Sequence, residues 1–325
     1  MKILALHLHS FMEYAQLRGV SRREILSVMT TPPDNFLQEA TTVSSEDFFA
    51  AINFISTSLK DDLLGIRLGN FLNMNSLGLI YQISLQTATI EEALFYLNNY
   101  IGNTIPVVQP EIQFIEDRVI INLSINVDKS EASTIVLESL LTIISRELDM
   151  MTAQPLDFLL FSPACSPEYP SEWQQGKSFA ISFKAALLKA SLQDISRLHL
   201  DALIPEYLKL IETMKPEPTF SSKVKIASLN MAKPELPALE KIADVFNLTP
   251  RTLQRRLSTE QTTFRQIIDD LKKQISYMLL QHNRFSVADV SYVLGYSEPA
   301  AFIHSFKKWY GNSPEKVRTG LAVSA

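Results

Sequence analysis

The stretch Leu239-Glu-Lys-Ile-Ala-Asp-Val-Phe-Asn-Leu-Thr-Pro-Arg-Thr-Leu-Gln-Arg-Arg-Leu257 reads as two short helices around a sharp turn. Leu239, Ile242, Ala243 and Phe246 recur at i, i+3, i+4 and i+7, which is one buried helix face. Asn247 stands at the turn, and Asn tolerates left-handed backbone better than most residues. Thr249 is a good N-cap, and Pro250 is favoured at the first helical position. In the second helix Leu253 and Leu257 face inward, leaving Arg251, Thr252, Gln254, Arg255 and Arg256 around the rest. A helix so decorated suits a major groove, because Arg can pair bidentately with guanine and Gln with adenine while further arginines hold phosphates. An ordinary solvated basic face would carry the same residues, so this helix alone leaves both readings open.

The plan is repeated downstream. Between Val287 and Tyr310, Val287, Val290 and Leu294 form a buried face, Gly295 occupies the turn, Ser297 is the expected N-cap, and Phe302 and Phe306 point inward. Ile242 and Val290 lie 48 positions apart, as do Asn247 and Gly295, whereas Leu253 and Phe302 lie 49 apart, as do Leu257 and Phe306. The repeat is in register up to the turn and gains one residue after it. Phe264 to His282 reads as a helix joining the two units, with Ile267, Ile268, Leu271, Ile275, Met278 and Leu279 inward. At ~1.5 Å per residue it spans about 28 Å, close to the ~34 Å between successive major-groove faces. One chain could therefore set two recognition helices in adjacent grooves.

Charge points the same way. Residues 218–325 carry 15 Lys+Arg against 9 Asp+Glu, while residues 1–217 carry the remaining 15 and 26 of the chain's 30 and 35. A basic tail on an acidic body implies a polyanion partner for the C-terminal part only.

The motif Val290-Ser-Tyr-Val-Leu-Gly-Tyr-Ser-Glu-Pro-Ala-Ala-Phe-Ile-His-Ser-Phe-Lys-Lys-Trp-Tyr-Gly-Asn-Ser-Pro-Glu-Lys-Val-Arg318 resembles the C-terminal signature of AraC/XylS-type regulators. The first unit, around Ile242 to Leu257, is similar to that family's first helix-turn-helix, and the likeness covers about residues 220–320. The resemblance implies base reading by Arg251, Thr252, Gln254 and Arg255 in the first unit and by Pro299, Ala300 and His304 in the second. Arg256, Lys307 and Lys308 would contact phosphate. The second unit departs from the pattern, since the family usually has Arg where His304 stands, and Pro299 and Ala300 cannot make bidentate base contacts. The first unit is therefore expected to carry most of the sequence reading. Trp309, Tyr310 and Phe306 are expected in the core rather than stacked on bases.

A break at 212–222, Glu-Thr-Met-Lys-Pro-Glu-Pro-Thr-Phe-Ser-Ser, sets the expected boundary, because Pro216 and Pro218 interrupt helix and the flanks are polar. The organisation follows as residues 1–211 for effector sensing or dimerisation, 212–222 as linker, and 223–325 as the double helix-turn-helix domain. Upstream, residues 46–59, 61–70, 89–100 and 131–151 have apolar residues at helical spacing. Segments 112–116 and 119–127 alternate like strands around a turn at Glu116-Asp117-Arg118, and Phe158–Phe161 and Phe179–Phe183 are further strand candidates. The expected fold is an α+β N-terminal domain, helices on a small antiparallel sheet, followed by an all-α domain with two helix-turn-helix units joined by a long helix.

Leu64-Gly-Ile-Arg-Leu-Gly69, Leu77-Gly-Leu and Thr89-Ile-Glu-Glu-Ala-Leu94 resemble a sensor domain of one branch of the same family, not the sugar-binding jelly-roll type. This implies a small-molecule effector, a homodimer, or both; a purely structural domain is the alternative, and the effector itself does not carry over. Tyr14, Arg67, Tyr81, Tyr96 and Trp173 could line a pocket, though nothing in the sequence singles them out. The implied partners are double-stranded promoter DNA and RNA polymerase.

Other chemistry finds little support. Phosphate-binding glycine loops and a Gly-x-Ser-x-Gly elbow are absent from the sequence. His7-x-His9 would share a strand face, but further ligands are lacking, so no metal and no cofactor are expected. Cys165 is the only cysteine, which fits a reducing compartment. The N-terminal apolar run is broken at His7 and His9 and makes a poor signal peptide, and the run Ile135 to Ile144 falls short of the ~20 residues that span a bilayer. A cytoplasmic, non-enzymatic bacterial protein is expected. Two rivals stay open: a methyl-accepting DNA-repair or regulatory protein using Cys165, which would need an activated thiol, and a non-specific nucleoid-type DNA binder.

Overall fold

A computed structural model describes residues 1–38, 40–71, 87, 89–150, 157–189, 219–232, 235–281 and 285–323. Leu77-Gly-Leu, Tyr81 and residues 212–218 of the expected linker lie outside the described residues. The chain divides into two compact units, Met1–Gln193 and Asp194–Ala325.

The first unit is α+β. Strands β1 (Lys2–Leu4) and β2 (Thr42–Ser44) pair antiparallel, with Ile3 opposite Val43. Helix α1 (Ala5–Leu17) follows β1 directly, so His7 and His9 sit on a helix rather than on the strand face expected for them. After the short α2 (Arg22–Ser27) comes α3 (Ser45–Leu59), whose N-cap Ser44 accepts a hydrogen bond from the Asp47 amide at 3.0 Å. Asp47 in turn accepts from the Thr30 and Thr31 amides, pinning the preceding loop.

Helices α4 (Leu64–Phe71), α5 (Ile90–Thr104) and α6 (Glu131–Met150) complete the helical layer. Helix α6 is buried almost all round: Val136, Leu137, Leu140, Leu141 and Ile144 are interior, and so are Glu138, Ser139, Thr142 and Arg146. A helix hydrophobic on most of its circumference belongs at the centre of a core. It packs α3 and α4 and also touches the sheet.

Gly65 and Gly69 set the α4–α6 spacing. A Cβ on Gly65 would lie 2.8 Å from the Ile135 carbonyl oxygen, and one on Gly69 would lie 2.5 Å from Thr142 Cβ. Two glycines four residues apart on one helix face thus let the two backbones approach more closely than any side chain permits.

The five-stranded sheet has β3 (Val108–Ile115), β4 (Arg118–Ile125), β5 (Leu159–Ser162), β6 (Trp173–Gln175) and β7 (Phe179–Lys184) in the spatial order β3-β4-β7-β5-β6. All neighbours are antiparallel except β5–β6. The β3–β4 hairpin closes at Glu116-Asp117, with Glu116 at φ 53 and Ile115 opposite Arg118. On β4 the alternating Val119, Ile121 and Leu123 are buried, as a half-covered strand requires.

The described part of the second unit is all helix: α7 (Phe220–Asn230), α8 (Leu239–Val245), α9 (Pro250–Thr259), α10 (Phe264–Gln281), α11 (Val287–Val293), α12 (Pro299–Tyr310) and α13 (Pro314–Val323). Residues 220–222, at the end of the expected linker, form the first turn of α7. The long α10 is the hub, touching α7, α11 and α13. Its Ile267, Leu271, Ile275 and Leu279 are buried.

Candidate nucleic-acid interface

The first helix-turn-helix unit is α8, the turn at 246–249 and α9. Ile242 and Ala243 are fully buried beside Phe246, as their spacing predicts. Asn247 adopts φ 52, and the Leu248 amide bonds back to the Ala243 carbonyl at 2.9 Å, so the chain reverses within three residues. Thr249 then caps α9 by accepting from the Thr252 amide at 3.2 Å, with Pro250 at the first helical position.

Leu253 and Leu257 anchor α9 in the core at 0% exposure. Arg251, Gln254 and Arg255 are exposed, and their i, i+3, i+4 spacing places them on one face. Thr252 is half-buried, and its hydroxyl shares a 2.9 Å hydrogen bond with Thr249, which ties it to the cap. Arg256 is exposed on the flank with its guanidinium 5.5 Å from the centre of the Phe220 ring.

Phe220 and Glu260 are supports that the sequence did not announce. Phe220 meets Phe246 with ring centres 5.2 Å apart. Glu260, just past α9, accepts from the amides of Phe220 at 2.7 Å and Ser221 at 2.8 Å, capping α7 from 40 residues away. Its partial desolvation opposes ionisation, but the donors of Ser221 and Phe220 prevail and hold the carboxyl below its usual range. Thr219 is the N-cap of α7, inside the expected linker, and no pattern in the sequence marks a carboxylate 40 positions away as its partner.

The second unit is α11, the turn at 294–298 and α12. Ser286 and Asp289 form a reciprocal capping box at the start of α11, and Val287, Val290 and Leu294 are buried. Gly295 takes φ 74 at the turn. Here the expected cap is corrected: Glu298, not Ser297, is the N-cap of α12, and its side chain makes no capping bond. Pro299 is the reason. A proline at the first helical position pushes the preceding residue into extended backbone, and Glu298 has φ −141 and ψ 140. The residue gained after the turn therefore falls before the cap, and Pro299 stands 49 positions after Pro250.

Ala300 and His304 are exposed on α12, Pro299 is half-buried, and Lys307 and Lys308 are exposed in the last turn, where the helix dipole also favours cations. Phe302 and Phe306 are fully buried. Tyr310 stacks on Tyr277 at 5.5 Å and donates its hydroxyl to the Lys273 carbonyl at 2.9 Å, while Trp309 is half-buried. Lys272 lies 4.6 Å over the Tyr296 ring. Tyr310 thus ties the end of α12 to α10, and Tyr296 ties the turn before α12 to the same helix.

Residues 242–320, both units together, match the helix-turn-helix domain family. The chain is 23% identical to an uncharacterised HTH-type transcriptional regulator of Mycobacterium tuberculosis over 94% of its own length and 92% of that protein's. It is 21% identical to the ornithine utilization regulator of Pseudomonas aeruginosa, over 92% of this chain and 91% of that one. With VqsM, an HTH-type transcriptional regulator of the same organism, identity rises to 37% over 27% of each chain. The matched domain and these relatives support a DNA-binding transcription regulator similar to those of the AraC/XylS family.

In the compact unit Met1–Gln193, only two of the four described side chains named as pocket candidates, Tyr14 and Arg67, come together. Tyr14 and Arg67 meet in one buried cluster, where Arg18 donates to both the Tyr14 hydroxyl and Asp61 at 2.8 Å and Arg67 also pairs with Asp61. Trp173 packs edge-on against Tyr169, and Tyr96 is exposed on α5. Buried Glu138 accepts from Ser162 at 2.7 Å and Tyr169 at 2.8 Å, and burial pushes its carboxyl up. Cys165 is half-buried on the loop after β5. Desolvation and the Glu138 charge raise its thiol, the opposite of what a nucleophile needs. Among the described residues no three His, Cys, Asp or Glu side chains gather as a metal site, and no helix is long and apolar enough to cross a membrane.

Proposed function

We propose that this regulator is a cytoplasmic, ligand-responsive, one-component activator that reads promoter DNA chiefly through α9. The observation that carries this is the exposed face of Arg251, Gln254 and Arg255, backed by the fully buried Leu253 and Leu257 and held by the Thr249 cap. Donors fixed on a rigid helix discriminate bases, because a wrong base leaves desolvated groups unpaired. Thr252 would act at the margin of that face. On α12, Ala300 and Pro299 would offer apolar contact and His304 a single polar one, so the second groove would be held mainly through phosphate contacts by Lys307 and Lys308, with Arg256 doing the same beside α9.

The N-terminal unit would sense a small molecule, dimerise, or do both, and change promoter occupancy or contact with RNA polymerase. No catalytic step is proposed, and the raised Cys165 thiol speaks against methyl transfer.

Selection of genomic DNA fragments by the purified full-length protein at stated salt tests this reading. A motif of two half-elements about one helical turn apart is expected, with a specificity ratio of ~10³ or more over random DNA. Arg255→Ala should cost roughly 1–3 kcal/mol on the selected site and relax one base position. A featureless profile, or an Arg255→Ala protein with the same motif, refutes the assignment of α9 as the reading helix.

A further inference from the structure

Strand β3 is an edge of the five-stranded sheet. Its ladder with β4 uses the odd-numbered residues: the Asn126 amide donates to the Val107 carbonyl at 2.8 Å, and the turn at Glu116-Asp117 sets Ile115 against Arg118. The backbone groups of the even-numbered residues therefore point away from β4. Val108 spends its amide on the Ile105 carbonyl at 2.8 Å, and Pro110 has no N–H. The amides and carbonyls of Ile112 and Phe114 have no backbone partner among the described residues. The same stretch carries apolar side chains into solvent, Phe114 being 63% exposed and Ile115 51%. Natural sheets rarely leave such an edge open, because it templates pairing with another strand.

Helix α5 continues the patch. Asn98, Asn99 and Asn103 of α5 border one open groove of about 690 Å³ with Val108, Gln109 and Pro110, so the last turns of the helix lie beside the first half of β3. The turn of 3-10 helix at Ala185–Lys189, which follows β7 at the hairpin end of the sheet, also touches α5. Helix and strand thus run antiparallel, side by side. Phe95 and Tyr96, one turn before Asn98 and Asn99, stand level with the second half of β3. Their rings meet at 5.7 Å, yet Phe95 is 63% exposed and Tyr96 44%. At ~200 Å² per aromatic side chain, Phe95, Tyr96 and Phe114 leave on the order of 300 Å² uncovered, a size at which an exposed patch is often functional.

We propose that β3 and α5 form the contact between two copies of this chain, β3 pairing antiparallel with the partner's β3 about a two-fold axis at Gln113. The proposal rests on the reading that this unit dimerises. Centred there, Ile112 stands opposite the partner's Phe114 and Phe114 opposite the partner's Ile112, so the outward-pointing residues exchange backbone bonds with no donor left over. A register centred on Ile112 sets the partner's Phe114 against Pro110, which cannot donate, and one centred on Phe114 sets Ile112 against the turn residue Glu116. Glu111 falls opposite the partner's Ile115, so like charges are not directly opposed. The groove beside Gln109 and Pro110 leaves room for the partner's Glu116-Asp117 turn. An extended segment of another protein would gain the backbone bonds alone. A second copy also brings its own aromatic patch to the same centre, because a two-fold contact uses one surface twice. Two such patches supply about 600 of the ~1,600 Å² that a standard interface buries, with the asparagines of α5 at the polar rim.

The test uses the full-length protein in a Cys165→Ser background. Sedimentation velocity should show a dimer at micromolar concentration. Phe114→Glu, at a position already exposed, should weaken it about 100-fold, since each substitution occurs twice in the contact. Gln113→Cys should form a disulfide between copies under mild oxidation, because residues facing each other in a non-hydrogen-bonded antiparallel pair have Cα atoms ~4.5 Å apart. Glu111→Cys should not, its two copies lying about 14 Å apart along the strands. A dimer that a folded Phe114→Glu protein retains at full strength, or a dimeric Gln113→Cys protein that does not cross-link, overturns this surface and leaves dimerisation standing. The cross-link decides even if Phe114→Glu does not fold. A monomer throughout the micromolar range overturns both the surface and the dimer.

Discussion

Replacing Gly69 with Ala sets two known effects against each other. Alanine is the better helix former by about 1 kcal/mol, so an uncrowded Gly→Ala change within a helix is stabilising. At Gly69, however, the added methyl would come within 2.5 Å of Thr142 Cβ, 2.7 Å of the Ser139 carbonyl oxygen and 2.9 Å of Thr142 Cγ2. Two of these atoms belong to backbone or to a Cβ and cannot swing aside, so α4 must move away from α6. Overpacking of this kind costs typically about 1–3 kcal/mol. With the propensity gain deducted, a net loss of up to about 2 kcal/mol is expected.

The assay follows from the sequence, which has two tryptophans, Trp173 in the first unit and Trp309 in the second. In a Trp309→Phe background, urea unfolding followed by fluorescence reports the first unit, and the midpoint should drop by up to about 1 M. Gly102→Ala is the control. It lies in α5, where an added methyl would meet nothing within 4 Å, and it should raise the midpoint. If Gly69→Ala is as stabilising as Gly102→Ala, the close α4–α6 approach is not what these glycines are for.

Gly295→Ala forces an L-residue to φ 74 and should destabilise the second unit by about 1–2 kcal/mol, read from Trp309 in a Trp173→Phe background; an unchanged midpoint would count against the turn geometry. Thr249→Ala removes the α9 cap and should cost about 1 kcal/mol of stability in the same assay, whereas Thr249→Ser should restore most of it. His7 gives a pH dependence. Its folded-state pKa is lowered to about 4 while the unfolded ring titrates near 6.5, so between these values the unfolded chain binds more protons and stability rises with pH. Lowering the pH from 6.5 to 4 should cost about 3 kcal/mol through this group, and equal slopes in wild type and His7→Phe would refute its neutral burial.

The second unit was legible because its information is local. Leu253 and Leu257 at i, i+4, Asn247 at a left-handed turn and Thr249-Pro250 at a helix start each have one reading, and the structure has all of them. The Ser297 assignment failed because two local rules competed, and the proline constraint on Glu298 outweighed serine's preference for caps. In the first unit the helices at 45–59 and 131–150 and the hairpin at Glu116-Asp117 were also visible. The parallel strand β6 and the pairing of β1 with β2 were not, since three-residue strands carry no periodicity of their own. The buried cluster at Asp61 escaped for a different reason. Arg18 and Asp61 lie 43 positions apart, and only the fold brings them together.

The carboxylate of Glu260 makes the foot of α9 and the start of α7 a single joint, and Arg256 over Phe220 clamps the same place. A load on the start of α7 therefore reaches the foot of α9 directly, through two short hydrogen bonds and one ring contact. In the proposed reading of DNA by α9, that joint sets how firmly the base-contacting face is held.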